Sequence, residues 1–278
     1  MMTQENVRYI GLDIHKRYLV AYGVNREQEQ VYGPRRVEYS RLKRWIQAEL
    51  RPDDEVVVEM TTNTWHMVDL LEPHVGSVLV VHPPEVKSIV KARVMTDKKA
   101  ARILARLHAA KLLPAVWIPP KEVREIRSLV AGRRRMVSLG VRAKNALHNI
   151  LHAHHIETPE VVNDIFHPDL TDWWSSLPIP SLEAIRVAAE LDNISFAQRQ
   201  KARFELALYQ LAAKDNRVPL LAQLPGIGAL SAITILGAIG TIERFPNAQK
   251  LVGYAGLGAG VHSSGESHRT GRITKTGR

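Results

Sequence analysis

The chain of 278 residues contains no cysteine. This absence excludes disulfides, thiolate zinc sites and thiol catalysis, and it suits a reducing compartment such as the cytoplasm. No apolar run reaches the roughly 18 residues that a transmembrane helix needs, and the N-terminus lacks the apolar core of a signal peptide. The sequence therefore predicts a soluble intracellular protein without a membrane partner.

Acidic residues are fewer than basic ones. The chain has 28 aspartates and glutamates against 38 lysines and arginines, which gives a formal charge of +10 and an isoelectric point near 9.9. This imbalance favours a polyanionic partner, and nucleic acid is the first candidate. The length exceeds that of one typical domain and predicts two domains with a connecting segment.

The stretch Val7–Val24 contains two apolar runs separated by Asp13. It predicts two β-strands joined by a tight connection at His15–Arg17. A carboxylate in a buried strand is costly unless a partner stabilises it. Asp13 is therefore a candidate site residue, and the alternative is a residue that ends a strand at the surface.

Two further carboxylates stand in related settings. Glu59 ends the β-branched strand predicted at Glu55–Met60, and α/β sheets place their sites at the carboxyl ends of central strands. Asp97 lies in the basic segment Pro84–Leu113, which we expect to be helical. The alternative for Asp97 is a helix cap or an ion-pair partner of nearby lysines. Carboxylates supply the hard oxygen ligands that magnesium prefers, so the three acids are candidate metal ligands.

The order of the predicted elements indicates an α/β fold for the first part of the chain. Three strands in a meander, followed by alternating helix and strand, predict a ribonuclease-H-like domain over residues 1–116. Beyond it, apolar residues at helical spacing predict a long helix at Lys121–His152, and two more helices at Ser181–Asp192 and Ala197–Lys214. Residues 117–218 are thus predicted to be a helical, coiled-coil linker that mediates dimerisation.

Residues 219–278 combine a glycine turn with a serine-containing basic stretch. Leu224–Gly228 precedes a helix of small residues and resembles a helix-hairpin-helix turn, which presents backbone amides to a phosphate. A plain turn between packed helices is the alternative. Ser263 and Ser264 precede a glycine and closely spaced cations, a setting in which a hydroxyl could attack a bound phosphodiester. The alternative here is a disordered basic tail.

Clustered basic residues are the candidates for binding nucleic acid. Their density exceeds what a solvated helix needs, although an exposed helical face remains the alternative for the central cluster. The candidates are Lys98, Lys99, Arg133, Arg134, Arg135, Arg269, Arg272 and Lys275.

Six segments carry a resemblance to a known family over essentially the whole chain. In chain order they are GLDIHK, VVVEM, VVHPPEVKSI, TDKKAARILARL, LPGIGALSAITILGAIG and YAGLGAGVHSSGESHRTGRITKTG. This series resembles the insertion-sequence transposases that join a RuvC-like acidic domain to a mainly α C-terminal serine domain, a group that includes the Piv-type DNA invertases. The resemblance implies a site-specific recombinase that cuts and rejoins DNA through a covalent phosphoserine link.

The resemblance also implies roles for particular residues and partners. Asp13, Glu59 and Asp97 match the first three carboxylates around a divalent metal, Mg²⁺ or alternatively Mn²⁺. Ser264 matches the nucleophile, and Ser263 is the alternative because the two serines are adjacent. The implied partners are DNA, a structured guide (bridge) RNA and further protomers in a homodimer or homotetramer, whose serine and acids compose one site. The implied location is the prokaryotic cytoplasm, in association with the nucleoid.

Two departures from the family pattern bear on activity. The fourth carboxylate, expected three residues after Asp97, is replaced by Ala100, so weaker metal binding and an impaired copy are expected. The chain also stops at Arg278, where relatives continue, so we expect either a shortened chain or a serine domain without a packing partner. Alternative functions are a metal-dependent, junction-resolving nuclease that uses water, and a non-enzymatic nucleic-acid-binding protein, which Ala100 favours.

Overall fold

A computed structural model describes residues 7–89, 96–159, 164–264 and 267–273. It divides into two compact units, Met1–Ile118 and Pro119–Arg278, called here the N-terminal and C-terminal units. The N-terminal unit is a mixed α/β structure, and the C-terminal unit is mainly helical. The predicted division into three domains, with boundaries near residues 116 and 218, stays a prediction.

The N-terminal unit is built on one five-stranded sheet with the strand order β3-β2-β1-β4-β5. Strand β2 is antiparallel to β1 and β3, whereas β1, β4 and β5 run parallel. This order agrees with the predicted meander followed by alternating helix and strand. The elements are β1 (Tyr9–Ile14), β2 (Tyr18–Val24), β3 (Gln30–Glu38), α1 (Leu42–Glu49), β4 (Glu55–Glu59), α2 (Thr64–Leu71), β5 (Ser77–Val81), α3 (Pro83–Ile89) and α4 (Asp97–Ala109).

The two faces of this sheet are covered by different helices. Because side chains alternate along a strand, Leu12 and Val58 face the core formed with α1 and α2. Val57, the residue before Val58 on β4, points to the other face of the sheet and packs against Leu104 of α4. Helix α4 therefore lies on the opposite face from α1 and α2.

Gly11 lets α4 approach β1 more closely than any larger residue would. A Cβ at this position would lie 2.2 Å from the carbonyl oxygen of Ala101 and 2.5 Å from the backbone nitrogen of Ala105. Real Cβ atoms do not make contacts this short, so the backbone of α4 rests on that of β1. Ala101 and Ala105 are completely buried, and their small side chains permit the same approach from the helix.

A buried ion pair closes the opposite end of the same sheet. The Arg8 guanidinium donates two hydrogen bonds of 2.7 Å to the Asp54 carboxylate, and Asp54 is completely buried. Arg8 also donates to the Glu49 carbonyl at 2.9 Å. These bonds join the residue before β1 to the turn before β4, and they satisfy charges that would be costly to bury unpaired.

The C-terminal unit is organised by two long helices. Helices α5 and α7 run antiparallel, with Gly132 close to the Phe204 ring and His154 bonded to Glu183 at 2.8 Å. Separate apolar clusters form around Leu147 and Trp174, and around Leu208 and Ile233. The elements are α5 (Lys121–Ala153), α6 (Thr171–Ser175), α7 (Ser181–Ala212), α8 (Val218–Leu221), α9 (Ala229–Ile239), α10 (Ala248–Tyr254), β6 (Ala259–Ser264) and β7 (Ser267–Ile273).

Three predictions about these elements need correction. The two helices predicted on either side of residues 193–196 are one helix, α7, because no proline or glycine interrupts them and Ile194 is buried. The basic segment Pro84–Leu113 is not one helix, because Thr96 is extended and its hydroxyl caps α4. The mainly α C-terminal region also contains the antiparallel pair β6 and β7.

The long helix predicted at Lys121–His152 is confirmed as α5. A glycine turn precedes α9, with Gly226 at a φ of +84° and Gly228 at the N-cap. Its predicted role as a helix-hairpin-helix, and that of α5 and α7 as a dimerising coiled coil, stay predictions. None of the described helices combines the length and apolar character that a bilayer crossing requires.

We expect Gly11→Ala to destabilise the N-terminal unit by about 1–3 kcal/mol, because the added methyl group forces α4 away from β1. Gly140→Ala is the matched control. Its Cβ would meet only Ala197 at 3.7 Å, so this substitution within α5 should stabilise its unit by about 0.5–1 kcal/mol. Urea unfolding followed by circular dichroism measures both, and an unchanged midpoint for Gly11→Ala would contradict the close contact.

His108 of α4 makes stability depend on pH. It is 8% exposed, and its Nε2 lies 3.6 Å from the nearest Glu55 oxygen, too far for a hydrogen bond. Burial lowers its pKa from 6.5 to about 4. The unfolded chain therefore takes up this proton at a higher pH than the folded protein does.

Lowering the pH from about 6.5 to about 4 should therefore cost up to about 3 kcal/mol of stability through His108. The contribution is fully present above this window. His108→Gln should flatten the decline in the unfolding midpoint, whereas the exposed His74→Gln should preserve it. The same decline in both variants would show that His108 does not cause it.

Candidate metal centre

Strands β1 and β4 bring two of the predicted acids to neighbouring positions. The last paired residues of these parallel strands are Leu12 and Val58. Asp13 and Glu59 each follow by one residue, so they lie side by side at the carboxyl ends of the strands. Because side chains alternate, both project toward the face that α4 covers.

The start of α4 brings the third acid to the same place. Thr96 caps the helix, and Asp97 is its first residue. Because α4 rests on Gly11, its N-terminus is held near Asp13, two residues further along β1. Asp13, Asp97 and His15 each offer one ligand atom, and these atoms lie within 4.8 Å of one another.

His15 lies between the two aspartates. Its Nε2 is 3.1 Å from an Asp13 oxygen and 3.4 Å from an Asp97 oxygen. The Tyr18 hydroxyl donates a 2.8 Å hydrogen bond to Asp97, and the Tyr18 ring lies 4.7 Å from the His15 ring, centroid to centroid. The Arg36 guanidinium covers the Tyr18 ring at 3.6 Å.

The two aspartates experience different environments. Burial raises the pKa of Asp13; His15 opposes the rise, and the neighbouring Asp97 charge adds to it. The hydrogen bond from Tyr18 lowers the pKa of the more exposed Asp97. The same hydrogen bond raises the pKa of Tyr18. Because a partly desolvated carboxylate lies beside a second carboxylate, a positive charge at this point would stabilise both ionised groups.

The donor set fits a divalent cation. Carboxylate oxygens are ligands for Mg²⁺ and Mn²⁺, and imidazole nitrogen adds a ligand that the transition ions accept. Among the described residues the compact cluster contains Asp13, His15 and Asp97. Glu59 lies beside it on β4 without belonging to it. Ala100, one turn into α4, offers no ligand atom.

The remaining predicted site residues differ in their exposure and contacts. Lys98, Lys99, Arg134, Arg135 and Arg272 are exposed, so their side chains are accessible to a partner.

Arg133 is engaged within its own unit, because it donates a 2.8 Å hydrogen bond to Glu205 of α7. Ser263 and Ser264 belong to β6, where their partners across the hairpin are His268 and Ser267. The serine side chains, the Arg269 side chain and Lys275 lie outside what the structure describes. All these predicted roles stay predictions.

Sequence reasoning missed His15 and Tyr18 as site residues. The sequence predicts for His15 only a place in a tight connection, although its two-residue spacing from Asp13 places both on one side of an extended chain. Tyr18 carries no such signal, since its partner Asp97 is 79 residues away.

Comparison with known proteins decides the family. A protein-family model for IS110-type DEDD transposases, described as "Transposase", matches residues 10–156, more than half of the chain. A second model, described as "Transposase IS116/IS110/IS902 family", matches residues 218–278. The chain belongs to the IS110 family of transposases. The predicted resemblance is therefore confirmed, and membership implies DNA recombination and dependence on a divalent metal.

The alignments with individual relatives span most of this transposase. The pilin gene-inverting protein of Moraxella bovis is 27% identical over 282 residues, which span 97% of this chain and 78% of the relative. The probable family 20 transposase of Pseudomonas aeruginosa is 24% identical over 281 residues, spanning 98% and 80%. Both alignments include the acidic and the C-terminal segments of this chain.

Removing the Tyr18 hydroxyl tests the electrostatics of the centre. Tyr18→Phe should raise the pKa of Asp97 toward its ordinary value, because the largest cause of its lowering is lost. Tyr22→Phe is the matched control on the same strand, since the Tyr22 hydroxyl donates instead to Gln30. Carboxylate ¹³C NMR titration in the presence of a chelator measures the pKa, and an unchanged Asp97 in Tyr18→Phe would refute the assignment.

Proposed function

We propose that this transposase cuts and rejoins DNA at specific sites, using a divalent metal held by carboxylates and Ser264 as the nucleophile. The observation that carries the proposal is the approach of Asp13 and Asp97, with His15, to within 4.8 Å at the end of β1. Such an arrangement of like charges is costly unless a cation joins it. The match to a DEDD transposase family over residues 10–156, which include these three residues, also supports the proposal.

Asp13, Asp97 and Glu59 would hold the metal, Mg²⁺ or Mn²⁺. The metal supplies Lewis-acid stabilisation of charge on the leaving oxygen of a phosphodiester. His15 would complete the ligand set where Ala100 supplies no carboxylate. Tyr18 is a positioning residue, because its hydroxyl fixes the Asp97 carboxylate through the 2.8 Å hydrogen bond.

Ser264 would form a temporary covalent link to the cut DNA strand. Its Oγ forms a bond to phosphorus while the bond from phosphorus to the sugar oxygen breaks. The hydroxyl proton of Ser264 passes, overall, to the released sugar hydroxyl. Attack by the hydroxyl of a second strand reverses these changes, frees Ser264 and joins the new strands.

We further propose that a homodimer or homotetramer recognises DNA together with a structured guide RNA. The protein would act in the cytoplasm, in association with the nucleoid. The net charge of +10 supports polyanionic partners. The exposed Lys98 and Lys99 follow Asp97 in the first turn of α4 and would meet backbone phosphates there. The name of the Moraxella bovis relative describes the inversion of a gene, which is a cutting and rejoining reaction of the proposed kind.

Covalent protein–DNA adducts test the proposal. The substrate is a supercoiled plasmid carrying the coding region of this chain with its flanking DNA, incubated with RNA transcribed from that region and with Mn²⁺. We expect an adduct that survives detergent and disappears after protease treatment. Ala100→Asp should increase its yield by about tenfold by restoring a ligand. Asp13→Asn and Ser264→Ala should abolish it in that background.

Ser263→Ala is the matched control for the nucleophile and should retain the adduct. Adduct formation by Ser264→Ala would refute the assignment of Ser264. Cleavage without any adduct would replace the proposal with a nuclease that uses water. DNA binding without cleavage, even by Ala100→Asp, would indicate a non-enzymatic binding protein.

A further inference from the structure

A basic groove lies between the edge strand β3 and helix α1, apart from the metal centre. Its volume is about 680 Å³, and Arg35, Arg36, Arg41 and Arg44 line it. None of these arginines is among the nucleic-acid contacts predicted from the sequence. Strand β3 contributes Arg35 and Arg36, whereas Arg41 immediately precedes α1 and Arg44 lies in its first turn.

The spacing of residues along α1 creates one wall of this groove. Arg41, Arg44 and Ala48 recur at helical spacing and line the groove. Leu42 and Ile46 point into the core and hold the helix against the sheet. Ala48 has a short side chain, so it leaves open space beside the two guanidinium groups.

The acids in the groove are already paired. Glu49 binds Arg35 at 3.2 Å and also accepts a hydrogen bond from the Tyr32 hydroxyl. Glu38 binds Arg36 at 3.0 Å.

Arg41 and Arg44 have no ion-pair partner within the described part of the chain. Two unpaired guanidinium groups on one wall, with that of Arg35 opposite, provide planar donors for hydrogen bonds to phosphate oxygens.

The groove is connected to the metal centre through Arg36. Arg36 and Glu38 also line an adjoining depression formed with His15, Lys16, Arg17 and Tyr18. The Arg36 guanidinium covers the Tyr18 ring, and the Tyr18 hydroxyl bonds to Asp97. Because the Arg36 guanidinium lies on the Tyr18 side of the edge strand β3, cations extend from α1 around this edge to the acidic cluster.

We propose that the groove between β3 and α1 binds the phosphodiester backbone of a nucleic-acid strand that continues into the metal centre. An extended polyanion fits because the cations are spread along a path rather than converging on one point. Its continuation to the metal centre rests on the proposed function. Binding of the strand by the arginines does not.

Fluorescence anisotropy measures the binding directly. The probes are a single-stranded DNA of about 20 nucleotides and an RNA of the same sequence. The Arg41→Gln/Arg44→Gln variant should bind about tenfold more weakly, and the slope of log affinity against log salt should fall by about 1.4, as for two lost phosphate contacts. Lys43→Gln/Arg51→Gln is the matched control, since both residues are exposed nearby but do not line the groove.

A second pair of variants leaves every arginine in place. Ala48→Glu adds a negative charge to the groove and should weaken binding by about tenfold. Gln47→Glu adds the same charge to the same helix outside the groove and should stay within about twofold. Circular dichroism verifies that all four variants fold.

Equal losses in the groove variants and their controls would overturn the inference, because only net charge would then matter. A loss confined to the groove variants supports it, and the probe with the larger loss identifies DNA or RNA as the strand. Adduct formation by the groove variants should require more DNA yet reach the usual level at saturation. If no adduct forms with any variant while the anisotropy differences persist, the recombinase proposal fails and the groove assignment stands.

Discussion

The close contact between α4 and β1 is the constraint on which the candidate site depends. Gly11 removes the side chain that would separate the two backbones, and the approach to Ala101 is possible only without a Cβ at residue 11. The contact holds the first residue of α4, Asp97, against the end of the strand that carries Asp13. A helix displaced by the thickness of a methyl group would separate these carboxylates.

The two carboxylates that this contact brings together have different electrostatic environments. Burial raises the pKa of Asp13, while the Tyr18 hydroxyl lowers the pKa of Asp97. The site thus combines one carboxylate that loses solvation with another fixed by a hydrogen bond, and His15 lies between them. The proposed divalent cation would satisfy both charges.

The sequence predicted the strands and their acids because these depend on local patterns. An apolar run identifies β1 and a β-branched run identifies β4, and Asp13 and Glu59 stand near their ends. The neighbourhood of Asp97 could not be derived in this way, since Tyr18 is 79 residues distant. Local reasoning also divided α7 at residues 193–196, where burial of Ile194 keeps the helix continuous. The order of strands and helices in the N-terminal unit followed from periodicity, whereas the contacts of the site required packing between distant segments.

Anomalous X-ray diffraction from crystals soaked in Mn²⁺ tests most directly whether the acidic cluster is a metal centre. Data collected at the manganese absorption edge should show a peak within bonding distance of carboxylate oxygens of both Asp13 and Asp97. His15 Nε2 should face the same peak. A protein that takes up Mn²⁺ elsewhere, with no peak between these aspartates, would contradict the assignment.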